Sequence, residues 1–288
     1  MGCQKGGGGI VIRIVSKPVS RIGGIEYVDH GPDWVNSTAR DQSPPQTLVC
    51  LHGIGGDHAS FEPQYQSLSD EYRILSWNMP GYRGSDPLEN MDFDTLSASF
   101  VGWLDALNLD QVHIMGQSIG GMLAQEIGFR HPERVQSLIL VATTSAFGGR
   151  DDSFKQAFLE ARLAPLDQGE TMPVLAPRFV PEIVGKDAPQ EAIESAIHSM
   201  AAVPESTYRQ IMTCLVTFNR RTEWPDLGLS VCLIAGSEDT NAPARTMEKM
   251  AANLEGCAYH CIEGAGHLVN LEQPKACNDI VRRFLSTF

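Results

Sequence analysis

The sequence predicts an α/β fold: a mostly parallel sheet covered by helices on both faces, with a helical segment inserted late in the chain. Three observations carry this. Between Thr47 and Ala142, short apolar runs rich in β-branched residues alternate with helix-length amphipathic stretches, the pattern of parallel strands joined by crossover helices. From about residue 145 to 221 the alternation stops, and helical stretches are separated by Pro165, Pro173, Pro177, Pro181, Pro189 and Pro204. Strand rhythm then resumes at Val231-Cys232-Leu233-Ile234-Ala235.

Taken in order, residues 10–15 and 22–29 are expected to be the first strands, with a hairpin at 18–21. Residues 32–46, polar with paired prolines, read as a surface loop. A strand over 47–51 follows, then a helix near 59–69, a strand over 73–77 and a helix near 95–107. Val112-His113-Ile114-Met115 is a strand, Met122 to Ile127 belongs to a helix, and 135–142 is a buried strand. After the insertion come strands at 231–235 and 259–262 and a last helix. The expected organisation is a flexible tail and first strand over 1–20, a core over 21–144 and 223–288, and a cap over 145–222. About seventy-five residues with few large apolar clusters make a weak core alone, so the insertion is expected to pack over the ends of the strands that flank it.

Between strand and helix stands Gly116-Gln117-Ser118-Ile119-Gly120. A strand that turns directly into a helix forces the turn residue into a strained conformation, and flanking glycines remove the Cβ atoms that would clash. Ser118 is therefore a candidate nucleophile. A serine hydroxyl needs a base, and the base an orienting acid. Asp239 lies just past the strand over 231–235, with Glu238 as the neighbouring rival, and His267 ends the loop Gly264-Ala265-Gly266-His267. The chain order Ser118, Asp239, His267 matches one of the three known orders of this constellation. The glycine-rich turn His52-Gly53-Ile54-Gly55-Gly56 offers the N–H of Ile54 beside that of Ile119 as donors to an oxyanion. The base must be neutral to accept the serine proton, so activity is expected to rise with pH as the imidazole deprotonates.

Composition narrows the function classes. With 42% hydrophobic and 20% charged residues among 288, the chain has enough apolar material for a sizeable core. A net charge of −13 supplies no cationic footprint for nucleic acid or an anionic membrane surface. No apolar run is long enough to span a bilayer, and the N-terminus lacks a signal peptide's apolar core. Met1-Gly2-Cys3 resembles an acylation start, but Gly6 stands where Ser or Thr is required. Seven scattered cysteines, with Cys50 and Cys232 in apolar strands, fit a reducing, cytoplasmic compartment. Cys257, His260 and Cys261 share one strand without a second ligand cluster, so no metal is expected.

These motifs carry a resemblance to the serine-nucleophile α/β-hydrolase superfamily over residues 21–288. Leu51-His52-Gly53, Met79-Pro80-Gly81-Tyr82-Arg83-Gly84-Ser85-Asp86, the serine turn, Gly236-x-x-Asp239-x-x-x-Pro243 and Gly266-His267 stand in register with its pattern. Gln117 departs from a frequent His and Asn78 from a frequent Asp. The resemblance implies an eight-stranded sheet, the roles given above for Ser118, Asp239 and His267, and a small-molecule substrate with no cofactor. Gly266 to Pro274 and Arg162-Leu163-Ala164-Pro165-Leu166 resemble the 3-oxoadipate enol-lactonases, which implies hydrolysis of a small ester or lactone. A generic carboxylesterase is the neighbouring expectation. Carbon–carbon hydrolases of meta-cleavage products are also similar, but they commonly carry Trp after the histidine and Asn before the serine, where this chain has Leu268 and Gln117. A small-molecule receptor with an intact constellation, or cofactor-independent oxygen chemistry, stays open, as does homo-oligomerisation. In the cap, Arg162 and Arg178 are candidates to meet a substrate carboxylate, and Met172, Leu175, Phe179, Ile183, Met200, Ile211 and Met212 are candidate cavity liners.

Overall fold

Strands sandwiched between two helical layers need apolar residues at nearly every position, and the central strands of this chain have them. The computed structural model describes residues 14–16, 19–32, 45–148 and 153–288. Its strands are Ile14–Ser16 (β1), Ser20–Ile22 (β2), Ile25–Pro32 (β3), Thr47–Leu51 (β4), Arg73–Trp77 (β5), Val112–Gln117 (β6), Val135–Val141 (β7), Ser230–Gly236 (β8) and Ala258–Ile262 (β9). They form one sheet in the order β1, β3, β5, β4, β6, β7, β8, β9, with β2 also on β3. β1 pairs with the end of β3 and β2 with its start, so the two share one edge position and the sheet has eight places. All pairs from β5 to β9 are parallel, and β3 is antiparallel to its neighbours.

Alternate residues of each strand feed the two faces. Val49, Leu51, Leu75, Ile114, Leu140 and Leu233 point to one core, shared with the helices Phe93–Ala106 and Ile119–Arg130. Leu48, Cys50, Ile74, Met115, Ile139 and Ile234 point to the other, closed by the helices Glu62–Leu68 and Pro274–Leu285. In chain order the helices are Glu62–Leu68 (α1), Phe93–Ala106 (α2), Ile119–Arg130 (α3), Ser153–Asp167 (α4), Met172–Phe179 (α5), Gln190–Ala201 (α6), Glu205–Leu215 (α7), Ala244–Ala252 (α8), Val269–Glu272 (α9) and Pro274–Leu285 (α10). Among the described residues no helix is long and apolar enough to cross a membrane.

Helices α4 to α7 all fall between β7 and β8 and form an inserted helical cap. Its two chain crossings pair with each other: Phe147 N donates to Phe218 O and Arg220 N to Ser145 O. The Arg220 guanidinium reaches down to the buried Glu126 of α3 through two hydrogen bonds of 2.9 and 2.6 Å. A charged fork on a buried carboxylate fixes direction as well as distance, so the cap is anchored on the helix that follows Ser118.

Two expectations are corrected. The first hairpin turns at Gly23-Gly24, at φ +58° and +80°, and not at residues 18–21. Adjacent glycines supply the positive φ that a two-residue hairpin requires, and that break splits the strand expected over 22–29. Helix α2 begins two residues before the expected Thr95, because Asp92 caps it by accepting from Thr95 N at 2.8 Å. The flexible tail expected at the start of the chain, through residue 13, lies outside the described residues, as does most of the loop expected over 32–46.

Asp57 anchors the turn after β4. It is 2% exposed, accepts from Ala59 N at 2.9 Å, and takes a charged hydrogen bond from Arg83 Nε at 2.7 Å. Burial opposes its ionisation most strongly of any single influence, but the charge and hydrogen bond of Arg83, with smaller contributions from His52 and His58, together hold the carboxyl below its ordinary value. A lowered folded pKa stabilises above the unfolded value and is lost as pH falls through the folded one. Asp57→Ala is therefore expected to cost about 3 kcal/mol at pH 7, the low end for breaking a buried pair because Arg83 stays partly hydrated. The deficit should shrink in strongly acidic buffer. Urea unfolding at both pH values measures it; a loss that does not change with pH contradicts the account.

Candidate active site

Ser118 sits between β6 and α3 at φ 55°, ψ −121°, a conformation that costs a non-glycine residue about 1 to 3 kcal/mol. The surroundings enforce it. A Cβ on Gly116 would lie 2.3 Å from Gly120 O, and one on Gly120 would lie 2.1 Å from Leu51 O. Ser118 N donates to Val141 O, and Ser118 O accepts from Gly121 N and from Thr143 Oγ1 at 2.7 Å. The hydroxyl is left free to face outward from the strand ends.

There it meets the histidine. His267 Nε2 lies 2.9 Å from Ser118 Oγ, and His267 Nδ1 lies 2.8 Å from Asp239 Oδ2. Asp239 is 5% exposed, and its other oxygen accepts from Asn241 N and Ala242 N. Burial opposes its charge, yet His267 and these two N–H groups hold the carboxyl below its ordinary value. An ionised carboxylate at Nδ1 fixes that nitrogen as the donor and leaves Nε2 to accept from the serine. Glu238 turns the other way and accepts from Lys186 N at 2.8 Å. Gln117 donates its amide to His267 O at 2.9 Å, which gives that departure from the common His a place in the site.

The loop 53–56 closes the opposite side: a Cβ on Gly53 would sit 3.4 Å from the Ser118 Cβ. Tyr82 Oη donates to Ile54 O at 2.8 Å and fixes that peptide. Among the described residues, neither Ile54 N nor Ile119 N has an acceptor. Ile54 lines a cavity of about 860 Å³, and Ile119 follows directly on the lining residue Ser118.

Ser118 and His267 open into that cavity, with the cap contributing Phe179, Ile183, Met200 and Met212 to its wall. Met172, Leu175 and Ile211 do not reach it; they are buried within the cap. The wall holds Arg162, Arg221 and Arg245 and, among the described residues, no carboxylate. Arg162 stacks 4.7 Å from the Phe179 ring centre, and its nearest acid is the exposed Glu182 at 3.7 Å. Arg221 donates to Gly148 O. The Arg245 guanidinium has no hydrogen bond or ion pair among the described residues. Arg178 is a correction: half-exposed, it pairs with Glu170 outside the cavity. The helix α5 ends there with that face turned to solvent. Sequence reasoning missed Arg221 and Arg245. Arg245 did carry a signal, since it occupies the first turn of α8, where the helix dipole disfavours a cation.

A strained serine at the head of a parallel sheet, hydrogen-bonded to a histidine that is itself bonded to an acid, both from later strand ends, defines a serine-hydrolase-like site. Residues 48–280 match the alpha/beta hydrolase family, and the chain belongs to that family. It is similar to 3-oxoadipate enol-lactonase 1 of Acinetobacter baylyi, 26% identical over 83% of this chain and 88% of the relative. It is also similar to the poly(3-hydroxyalkanoate) depolymerase of Ectopseudomonas oleovorans, 26% identical over 87% and 88%. The enol-lactonase of Burkholderia xenovorans shares the fold with a TM-score of 0.79 at 21% identity, over 93% of this chain and 100% of the other.

The glycine contacts at the serine turn have a direct test. Gly120→Ala would place a methyl group against the Leu51 carbonyl, and overpacking of rigid backbone is expected to cost roughly 3 kcal/mol or more. Thermal unfolding reads this. Wild-type stability in that variant would mean that α3 does not press on the end of β4 as described.

Proposed function

We propose that this protein hydrolyses a small carboxylic ester or lactone that itself carries a carboxylate, through an acyl-enzyme on Ser118. One observation carries the reading: Ser118 Oγ, His267 and Asp239 are linked by hydrogen bonds of 2.9 and 2.8 Å at the wall of a cavity. The similarity to enol-lactonases supports the lactone. The arginines of the wall, which carries no carboxylate among the described residues, in a chain of net charge −13, support the anionic group.

Ser118 Oγ attacks the carbonyl carbon as its proton passes to His267 Nε2, and Asp239 stabilises the imidazolium. The oxyanion takes the N–H groups of Ile54 and Ile119; such a donor is worth roughly 3 to 4 kcal/mol at the transition state. As the tetrahedral adduct collapses, His267 returns the proton to the leaving oxygen. In a lactone that oxygen stays tethered to the acyl chain. Water then gives a proton to His267, attacks the acyl carbon, and the same steps regenerate Ser118. The cap excludes bulk water, and an arginine on the wall holds the substrate's carboxylate.

Ser118→Ala and His267→Ala are each expected to lower kcat about 10⁴- to 10⁶-fold, with the double variant little worse, because the residues act as one unit. Hydrolysis of p-nitrophenyl butyrate measures it, and a fully active Ser118→Ala rejects the mechanism.

Arg245→Ala should raise KM for a carboxylate-bearing ester about tenfold while leaving its methyl ester unaffected, the effect of one partly exposed charge-assisted contact. Arg162→Ala is expected to act in the same direction. Equal KM changes for acid and methyl ester would point to a neutral ester as the substrate.

A further inference from the structure

The backbone N–H groups of Gly266, His267 and Leu268 are all held by groups outside their own loop. Glu272, 2% exposed, accepts from Gly266 N through Oε2 at 2.8 Å and from Leu268 N through Oε1 at 2.9 Å. His267 N itself donates to Ile183 O at 2.7 Å. Ile183 belongs to the cap, and so does Gly185, whose N–H takes the remaining direction of Glu272 Oε2 at 2.8 Å. One residue further, Lys186 N donates to Glu238, the neighbour of Asp239. The contact is backbone on backbone: a Cβ on Gly185 would lie 2.4 Å from Gly264 O, and one on Gly266 would lie 2.3 Å from Gly185 N.

We infer that Glu272 is a positioning residue for His267, and that it shares its carboxylate with the cap segment 183–186, so that the histidine is aligned only while that segment is docked. The inference rests on the role proposed for His267. Its physical basis is a buried carboxylate that has three backbone donors and no cation among the described residues. Each donor satisfied strengthens the case for the others being held, since an unpaired lone pair or N–H in that dry space is costly. Two of the donors flank the imidazole, and the third, Gly185 N in the cap, is 87 residues from Glu272 in the chain. If segment 183–186 lifts, Glu272 loses one partner, His267 N loses its acceptor, and the ring is free to drift from Ser118. Ile183 also lines the cavity, so a substrate that fills the site presses on the segment that aligns the base. Substrate contact and catalytic alignment thereby share one strap.

The test uses Glu272→Gln and Gly185→Ala in the full chain, after thermal unfolding shows each to be folded. Glutamine keeps the shape but turns an amide N–H₂ toward backbone donors; alanine leaves Glu272 intact and drives a methyl group into the contact between the cap segment and the Gly264 carbonyl. Two readouts are taken: kcat and KM for p-nitrophenyl butyrate, and the far-downfield proton NMR signal of the His267 Nδ1–H bound to Asp239. Both variants are expected to lower kcat about ten- to a hundredfold, the effect of a misplacement near an ångström, with little change in KM. Their downfield signal should weaken by faster exchange with water. Wild-type kcat and an intact signal in Glu272→Gln would overturn the positioning role; the same result in Gly185→Ala alone would overturn the coupling to the cap. Should Glu272→Gln fail to fold, Gly185→Ala and Glu238→Ala decide, and wild-type behaviour in both overturns the inference. An active Ser118→Ala would instead reject the proposed function, a separate outcome that leaves the NMR readout standing.

Discussion

The close approach of Gly120 to the Leu51 carbonyl is the constraint on which the rest of the site depends. A methyl group there would lie 2.1 Å from that oxygen, so α3 rests on the end of β4 only because residue 120 has no side chain. This approach does two things together. It leaves Ser118 nowhere to go but the strained conformation at φ 55°, and it brings the loop after β4 against the start of α3. The N–H groups of Ile54 and Ile119 therefore come from different elements yet belong to one neighbourhood. Strain of about 1 to 3 kcal/mol at one residue is small beside the burial of β4, β6 and β7 on both faces, and the sheet over-determines the turn.

The partners of Ser118 are held through backbone N–H groups. Asp239 is fixed by two N–H groups of its own turn, and the His267 loop by Glu272 and the cap. Such contacts leave few rotamers to freeze and keep distances short, as a preorganised site requires. Charge is distributed with the same economy. The chain is strongly acidic overall, yet the described wall of the cavity carries arginines and no carboxylate. Low-dielectric walls focus that local field, so the cavity and the surface differ in the sign of charge they attract.

Much of this was legible in the sequence because it is local. Gly116, Ser118 and Gly120 lie within five residues, and Asp239 and His267 each follow an apolar run that reads as a strand. The structure places His267 within hydrogen-bond distance of both Ser118 and Asp239. What was not legible depends on which way a helix faces, or on contacts between distant segments. Arg178 was chosen for being in the cap, but its face of α5 turns to solvent toward Glu170. Arg245 belongs to a core helix, and that its first turn reaches the cavity depends on how that helix is placed. Glu272 stands in a visible spacing after His267, yet its cap partner Gly185 is distant in sequence and has no pattern of its own. The Gly23-Gly24 turn was within reach, since adjacent glycines between two apolar runs are a hairpin signal.

The proposed acyl-enzyme is the central claim, and rapid-quench mass spectrometry tests it most directly. The protein is mixed with excess p-nitrophenyl butyrate, stopped in acid within the first turnover, digested and mapped. The account predicts one butyryl group on the peptide containing Ser118, absent from Ser118→Ala and from protein quenched before substrate is added. Steady turnover with no adduct at any quench time, or an adduct that persists in Ser118→Ala, would contradict it.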